Sequence, residues 1–164
     1  HQIMTTQIGA YGGIVEKYIG DAVMASFGAF DDMDCPAANA LSAAQSMVCH
    51  VRDWQNSDLT DSTTPLQIGI GLNFGPAVVG DIGEGEAVTP AVIGASVNLA
   101  ARLERATRTL DTDIIISDSF ARKLRSETSS AGSALLRSFA KQDAIRVKGF
   151  SQPVTVHFQS RSAT

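Results

Sequence analysis

The stretch LQIGIGLNF, Leu66 to Phe74, constrains the fold more than any other part of the chain. Leu66, Ile68, Ile70, Leu72 and Phe74 alternate with Gln67, Gly69, Gly71 and Asn73 without a break. Successive side chains of a strand point to opposite faces, so the pattern predicts a strand with one apolar face and one nearly bare face. A bare glycine face suits the close approach of a helix, a ligand or another chain. Gly75-Pro76 then reads as a turn, and Ala77 to Ile82 as the second strand of an antiparallel hairpin.

Another hairpin is expected earlier. Ile14, Val15, Tyr18 and Ile19 precede Gly20-Asp21, and Ala22, Val23, Met24 and Phe27 follow. Two-residue connections favour Gly and Asp because the chain must visit unusual backbone angles there. A carboxylate held at a strand end can also hold a metal ion, so these residues leave both readings of Asp21 open. Helical segments surround the hairpins. The first dozen residues read as the end of a helix stopped by Gly12-Gly13. From Asp34 to Trp54, Ala37, Leu41, Ala44, Val48 and Val51 recur at helical spacing. A short strand at Ala91 to Ile93 leads to a helix from Ser96 to about Thr107, with Ser96 as its expected cap. Ile114 to Ile116 is a short buried strand, and Asp118 is the expected cap of a helix carrying Phe120 and Leu124. Residues 55–65 and 126–134 read as polar loops, and DAIRVKG and PVTVHF as closing strands. The order predicts one domain over 1–164, an α+β fold whose antiparallel-rich sheet has helices packed on one face.

Composition narrows the function. The 164 residues are 44% hydrophobic and 18% charged, as in an ordinary globular domain. A net charge of −4 argues against broad attraction to nucleic acid or anionic membrane, and no apolar run approaches membrane-spanning length. A single-stranded nucleic-acid binder would need stacking aromatics on its central strands, where only Phe74 stands. Cys35 and Cys49 lack metal-ligand spacing; they are expected in one helical stretch, as buried small hydrophobes of a reducing, cytoplasmic setting. His50 and His157 have no ligand neighbours in sequence and read as structural or surface residues.

Four stretches now fall into a recognisable order: GGIVEKYIGDAVMASFG, LQIGIGLNFGPAVVGDIG, PAVIGASVNLAARLE and IRVKG. Together they resemble the class III nucleotidyl cyclases, the adenylate and guanylate cyclase catalytic domains, from about Gly12 to Phe158. The resemblance implies a ferredoxin-like sheet with helices and a head-to-tail homodimer with nucleotide sites at its interface. It implies conversion of ATP to cyclic AMP and pyrophosphate with two Mg²⁺ or Mn²⁺ ions, under the control of an upstream sensor and without direct membrane insertion.

Residue by residue, the resemblance assigns Asp21 to metal, Asn98 to the ribose and Arg102 to charge on the α-phosphate in the transition state. Lys17 stands where the family reads the purine, with Lys typical of adenylate cyclases and Glu of guanylate cyclases. Lys148 matches a triphosphate-contacting lysine. Two positions depart from the pattern. The purine-reading partner of Lys17, usually Asp or Thr, is Ala91, and the Asp often found after the Gly of the helix motif is Ala95. Ala91 opens two alternatives: relaxed choice between ATP and GTP, or a cyclase-like dimerisation and nucleotide-binding module with little activity. The family's first metal-binding Asp lies on a strand before His1, so the domain is expected to be incomplete at its N-terminus.

Overall fold

The computed structural model describes residues 1–56, 66–82, 89–127 and 135–161. Helix α1 (Gln2–Ala10) leads into strands β1 (Ile14–Ile19) and β2 (Ala22–Ser26), followed by α2 (Pro36–Gln55). Beyond these lie β3 (Ile70–Leu72), β4 (Val78–Ile82), β5 (Thr89–Ile93), α3 (Ala95–Thr109) and β6 (Ile114–Ser117). The chain continues through α4 (Asp118–Glu127), β7 (Ala140–Ile145) and β8 (Val154–Phe158). Most of the expected polar loops, at 57–65 and 128–134, lies outside the described residues.

The N-terminal elements follow the sequence closely. Gly12 takes φ 76°, a left-handed value that favours glycine, and the N–H groups of Gly12 and Gly13 return to the carbonyls of Gly9 and Ile8. β1 and β2 pair antiparallel with Ile19 opposite Ala22, which leaves Gly20-Asp21 at the tip. A register shift between Val15 and Lys17 places one extra residue, Glu16, in β1.

The second expected hairpin does not form. β3 pairs in parallel with β6, Ile70 opposite Ile114, whereas β4 pairs antiparallel with β5, Val78 opposite Ile93. The cause lies in the connection between β3 and β4. Asn73 Nδ2 donates to the Ser96 carbonyl at 3.0 Å, and Ser96 Oγ donates to the Pro76 carbonyl at 2.7 Å. A Cβ on Gly75 would lie 2.6 Å from Ser96 Oγ, so the chain runs tightly under the start of α3. Bound there, the connection carries the chain from the main sheet to the separate β4-β5 pair.

The main sheet has the order β3-β6-β8-β7, and the hairpins β1-β2 and β4-β5 form separate two-stranded units. Helices cover both faces of the main sheet rather than one. Ile114 and Ile116 point into a core with Leu41, Ala44 and Val48 of α2 and Phe120 and Leu124 of α4. Ile115 points the other way, into a second cluster with Leu103 of α3 and Val156 of β8. Full burial of each such side chain contributes about 1.5–3 kcal/mol. The glycine face of β3 is where α3 lies: a Cβ at Gly71 would collide with the Ala100 carbonyl and the Glu104 N–H, and one at Gly69 with Thr107. Of the three occupants that a bare face allowed, the helix is the one present.

Several local expectations are corrected. Ser96 does not cap α3; the N-cap is Gly94, with no side-chain cap bond, and the Ser96 hydroxyl serves Pro76 instead. Ser117, not Asp118, caps α4, its Oγ accepting the Phe120 N–H at 3.1 Å. β7 ends at Ile145, and the expected end of the strand is instead a turn at 147–150, closed by the Phe150 N–H on the Val147 carbonyl at 3.1 Å. Cys35 is half-buried in a left-handed conformation just before α2, and Cys49 is exposed; both are free. Neither is the buried hydrophobe expected, because α2 turns Ala44 and Val48 to the core and Cys49 away from it. His50 is a surface residue, while His157 is buried and bonded to Asp118 at 3.1 Å. Among the described residues no helix is long and apolar enough to cross a membrane.

Candidate active site

Two groups of predicted residues emerge on different elements. Asn98 and Arg102 stand one turn apart on α3, where a spacing of four puts both on one face. Asn98 is exposed and Arg102 half-buried. The Arg102 guanidinium stacks on Phe150, 5.4 Å from the ring centroid. It also lies against Gly149, where a Cβ would sit 2.8 Å from Nη1. Gly149 has φ 81°, so the turn needs glycine twice, for its backbone angle and for room beside the guanidinium. The exposed Lys148 precedes it.

Arg52, Arg108, Arg122, Lys123 and Arg161 each pair with a carboxylate, whereas Arg102, like Lys17, Arg105, Arg125, Arg137, Arg146 and Lys148, has no acidic partner among the described residues; what sets Arg102 apart from these is its stacking on Phe150. A cation held by stacking and left without a counter-charge is ready to fork onto phosphate oxygens. Residues 146–153 line a cavity of about 230 Å³ that contains Arg146, Lys148 and Phe150. A cleft of about 380 Å³ shares the lining residues Phe150 to Pro153 with it and reaches Leu99 and the first turn of α4.

The second group is carried by the hairpins. Lys17 lies on β1 opposite Met24, and Asp21 is at the tip; both are exposed. The Asp21 carboxylate takes no hydrogen bond or ion pair from the described residues, although its backbone carbonyl meets His1 Nε2 at 3.0 Å. An exposed, unpartnered carboxylate at a rigid turn suits a hard divalent cation. Among the described residues no group of three or more His, Cys, Asp or Glu side chains could hold a metal, so a cation at Asp21 would need further ligands. Ala91, half-buried on β5, lies opposite Gly80, and β5 touches β1, the strand that carries Lys17.

Around this second group the surface is apolar. Ile14, Tyr18 and Ile19 of β1 are exposed, as are Val78 and Val79 of β4 and Ile93 of β5. Val78 reaches 63% exposure, an unusual value for a large aliphatic side chain on a strand.

Residues 1–160 match the family described as the adenylate and guanylate cyclase catalytic domain, and the chain belongs to that family. It is 33% identical over 149 residues to an adenylate cyclase of Anabaena cylindrica, covering 89% of this chain and 28% of that protein. It therefore spans about a quarter of that relative's length. Among solved structures it is similar to the adenylyl cyclase CyaB from P. aeruginosa, with a TM-score of 0.77 at 29% identity, covering 99% of this chain and 79% of that one. It is likewise similar to the guanylyl cyclase Cya2, with a TM-score of 0.75 at 28% identity over 94% of this chain and 73% of that one. Cyclases of both nucleotide classes thus stand among its neighbours.

Sequence reasoning did not single out Phe150. Its signal was present in the string Lys148-Gly149-Phe150, a flat side chain beside a glycine next to a cation, but the stacking partner lies on a distant helix.

Proposed function

We propose that this domain is an adenylate cyclase catalytic domain that converts ATP to 3′,5′-cyclic AMP and pyrophosphate at sites formed between two copies of the chain. The observation that carries this reading is Arg102, held on Phe150 and Gly149 without a counter-charge, one turn from Asn98 and beside Lys148. The ribose 3′-hydroxyl gives its proton to solvent water as its oxygen attacks the α-phosphorus, the bond from that phosphorus to the α,β-bridging oxygen breaks, and pyrophosphate leaves with that electron pair. Asn98 orients the ribose, and the Arg102 guanidinium donates to the α-phosphate oxygens as charge builds on them. Lys148 binds the triphosphate, and Lys17 donates to a ring nitrogen of adenine.

Asp21 would hold a divalent ion, with Mg²⁺ and Mn²⁺ the candidates, and the remaining ligands would come from the triphosphate and a further carboxylate. Two ions, when bound, lower the pKa of the 3′-hydroxyl and neutralise charge on the phosphates. The exposed apolar strands around Asp21 support the dimer, since burying them against a second copy removes them from water. The greater length of the Anabaena relative supports a role as output module of a longer signalling protein.

Ala91 favours a second reading of selectivity. It cannot hydrogen-bond the purine, and one missing bond in a desolvated pocket costs about 1–3 kcal/mol. Preference for ATP over GTP is then about tenfold to a hundredfold. The test is cyclic nucleotide formation from ATP and from GTP with Mn²⁺, in the protein at its natural length. Cyclic AMP as the favoured product supports the reading. A strong preference for GTP overturns the adenylate assignment, and inactivity on both with dimers intact favours a degenerate module.

A further inference from the structure

We propose that Asn73 is a positioning residue for catalysis: it fixes the first turn of α3, and hence Asn98 and Arg102, to the buried core of the domain. The inference rests on the proposed roles of Asn98 and Arg102. Its starting point is a helix that does not anchor itself. α3 begins at Gly94 without a side-chain cap, and its first turn carries the exposed Asn98. Two hydrogen bonds tie that turn down, and both come from residues 73–76: Asn73 Nδ2 to the Ser96 carbonyl at 3.0 Å, and Ser96 Oγ to the Pro76 carbonyl at 2.7 Å.

Asn73 is itself held from the other side. Its Oδ1 accepts from Ser117 Oγ at 2.7 Å and from Ser119 Oγ at 3.1 Å, and Ser119 Oγ also meets the Phe74 carbonyl at 2.7 Å. Ser117 ends β6, whose Ile115 and Ile116 are fully buried. A continuous chain of bonds therefore runs from the best-packed strand through Ser117 and Asn73 to Ser96, two residues before Asn98. A single amide performs both halves, with its oxygen on the core side and its nitrogen on the helix side. The amide orientation follows from the network, because hydroxyl donors face the oxygen and a carbonyl faces the nitrogen.

Since each half uses a different atom, substitution can cut one and spare the other. Asn73→Asp keeps an acceptor for both serines but sets a carboxylate oxygen against the Ser96 carbonyl. Ser119→Ala removes a bond on the core side and leaves the link to Ser96. The expected result for Asn73→Asp is a kcat lowered about tenfold to a hundredfold with KM within about twofold, since a small misplacement of a charge-stabilising group acts mainly on the transition state. Ser119→Ala should retain kcat within about twofold. Amide hydrogen exchange provides a readout that needs no turnover. In Asn73→Asp, exchange should speed up at the amides of Asn98 and Leu99, the first of α3 with helical acceptors, and stay unchanged at Phe120. Unchanged exchange at Asn98 and Leu99 overturns the positioning claim whatever the activity of the protein. So does a lowered Tm with kcat intact, which would make Asn73 structural only. A wild-type protein inactive on both nucleotides, with the exchange difference present, refutes the cyclase reading and leaves the anchoring of α3 standing.

Discussion

The loop at 148–150 and the hairpins β1-β2 and β4-β5 carry the two halves of the candidate site, and they are built in opposite ways. Arg102 is half-buried and fixed by contacts within its own chain: Phe150 on one side, Gly149 on another, and a helix docked on the glycine face of β3. Asp21 and Lys17 stand in the open on a strand pair whose neighbours Tyr18, Ile19, Val78 and Ile93 are exposed. One half is finished by intramolecular packing. The other leaves large apolar side chains exposed, as the proposed contact between two copies would need. The contrast shows which half a single chain preorganises by itself, and under the proposed function the other half is the one that assembly would complete.

Arg102→Ala should have the largest effect. Loss of one preorganised donor to developing charge lowers kcat by roughly 10² to 10³, with a smaller change in KM. Steady-state kinetics of the variant checks this, and a normal kcat removes Arg102 from the mechanism. The dimer should remain intact, because Arg102 faces its own loop rather than the exposed strands.

Next in size is Val78→Asp, which attacks the other half. A carboxylate at the centre of an apolar contact has to be buried unpaired or to prevent association, a cost of several kcal/mol. Sedimentation should show monomer where the wild type is dimeric, with activity falling about tenfold or more and recovering partly at high protein concentration. The fold should persist, since Val78 packs little within its own chain. A dimer unaffected by the substitution would show that the exposed strands are not the interface.

How much of this was legible in the sequence follows the same division. The β1-β2 hairpin and its acidic tip could be read because alternation and a Gly-Asp turn are local signals. The pairing of Asn98 with Arg102 could be read because helix geometry fixes residues four apart. The misread pairing of β3 with β4 came from treating Gly75-Pro76 as a free turn. In the structure the connection belongs to Ser96, a contact across twenty residues that no local pattern announces. The placement of helices on both faces did have a signal. Ile114, Ile115 and Ile116 are uninterrupted, and an unbroken apolar run is what a strand covered on both sides shows. The glycines of β3 were correctly read as a place of close approach, but the occupant is α3, so they lend no support to a contact between chains.

Ala91→Thr should give the smallest effect and sharpens the hairpin half alone. A hydroxyl at this position should raise kcat/KM for ATP by about tenfold and leave GTP nearly unchanged, the size expected for one hydrogen bond in a pocket. Competition between the two nucleotides measures it directly. No change in their ratio would place Ala91 away from the base.

The central claim is that the two halves meet on one nucleotide from two different chains. Mixing Asp21→Ala protein with Arg102→Ala protein tests it most directly, because a mixed dimer holds one site with every part and one site with neither. With confirmed subunit exchange and random pairing, the account predicts recovery to about a quarter of wild-type activity from two inactive preparations. Absence of recovery despite that exchange would contradict it, because Asp21 and Arg102 would then serve the nucleotide from within a single chain.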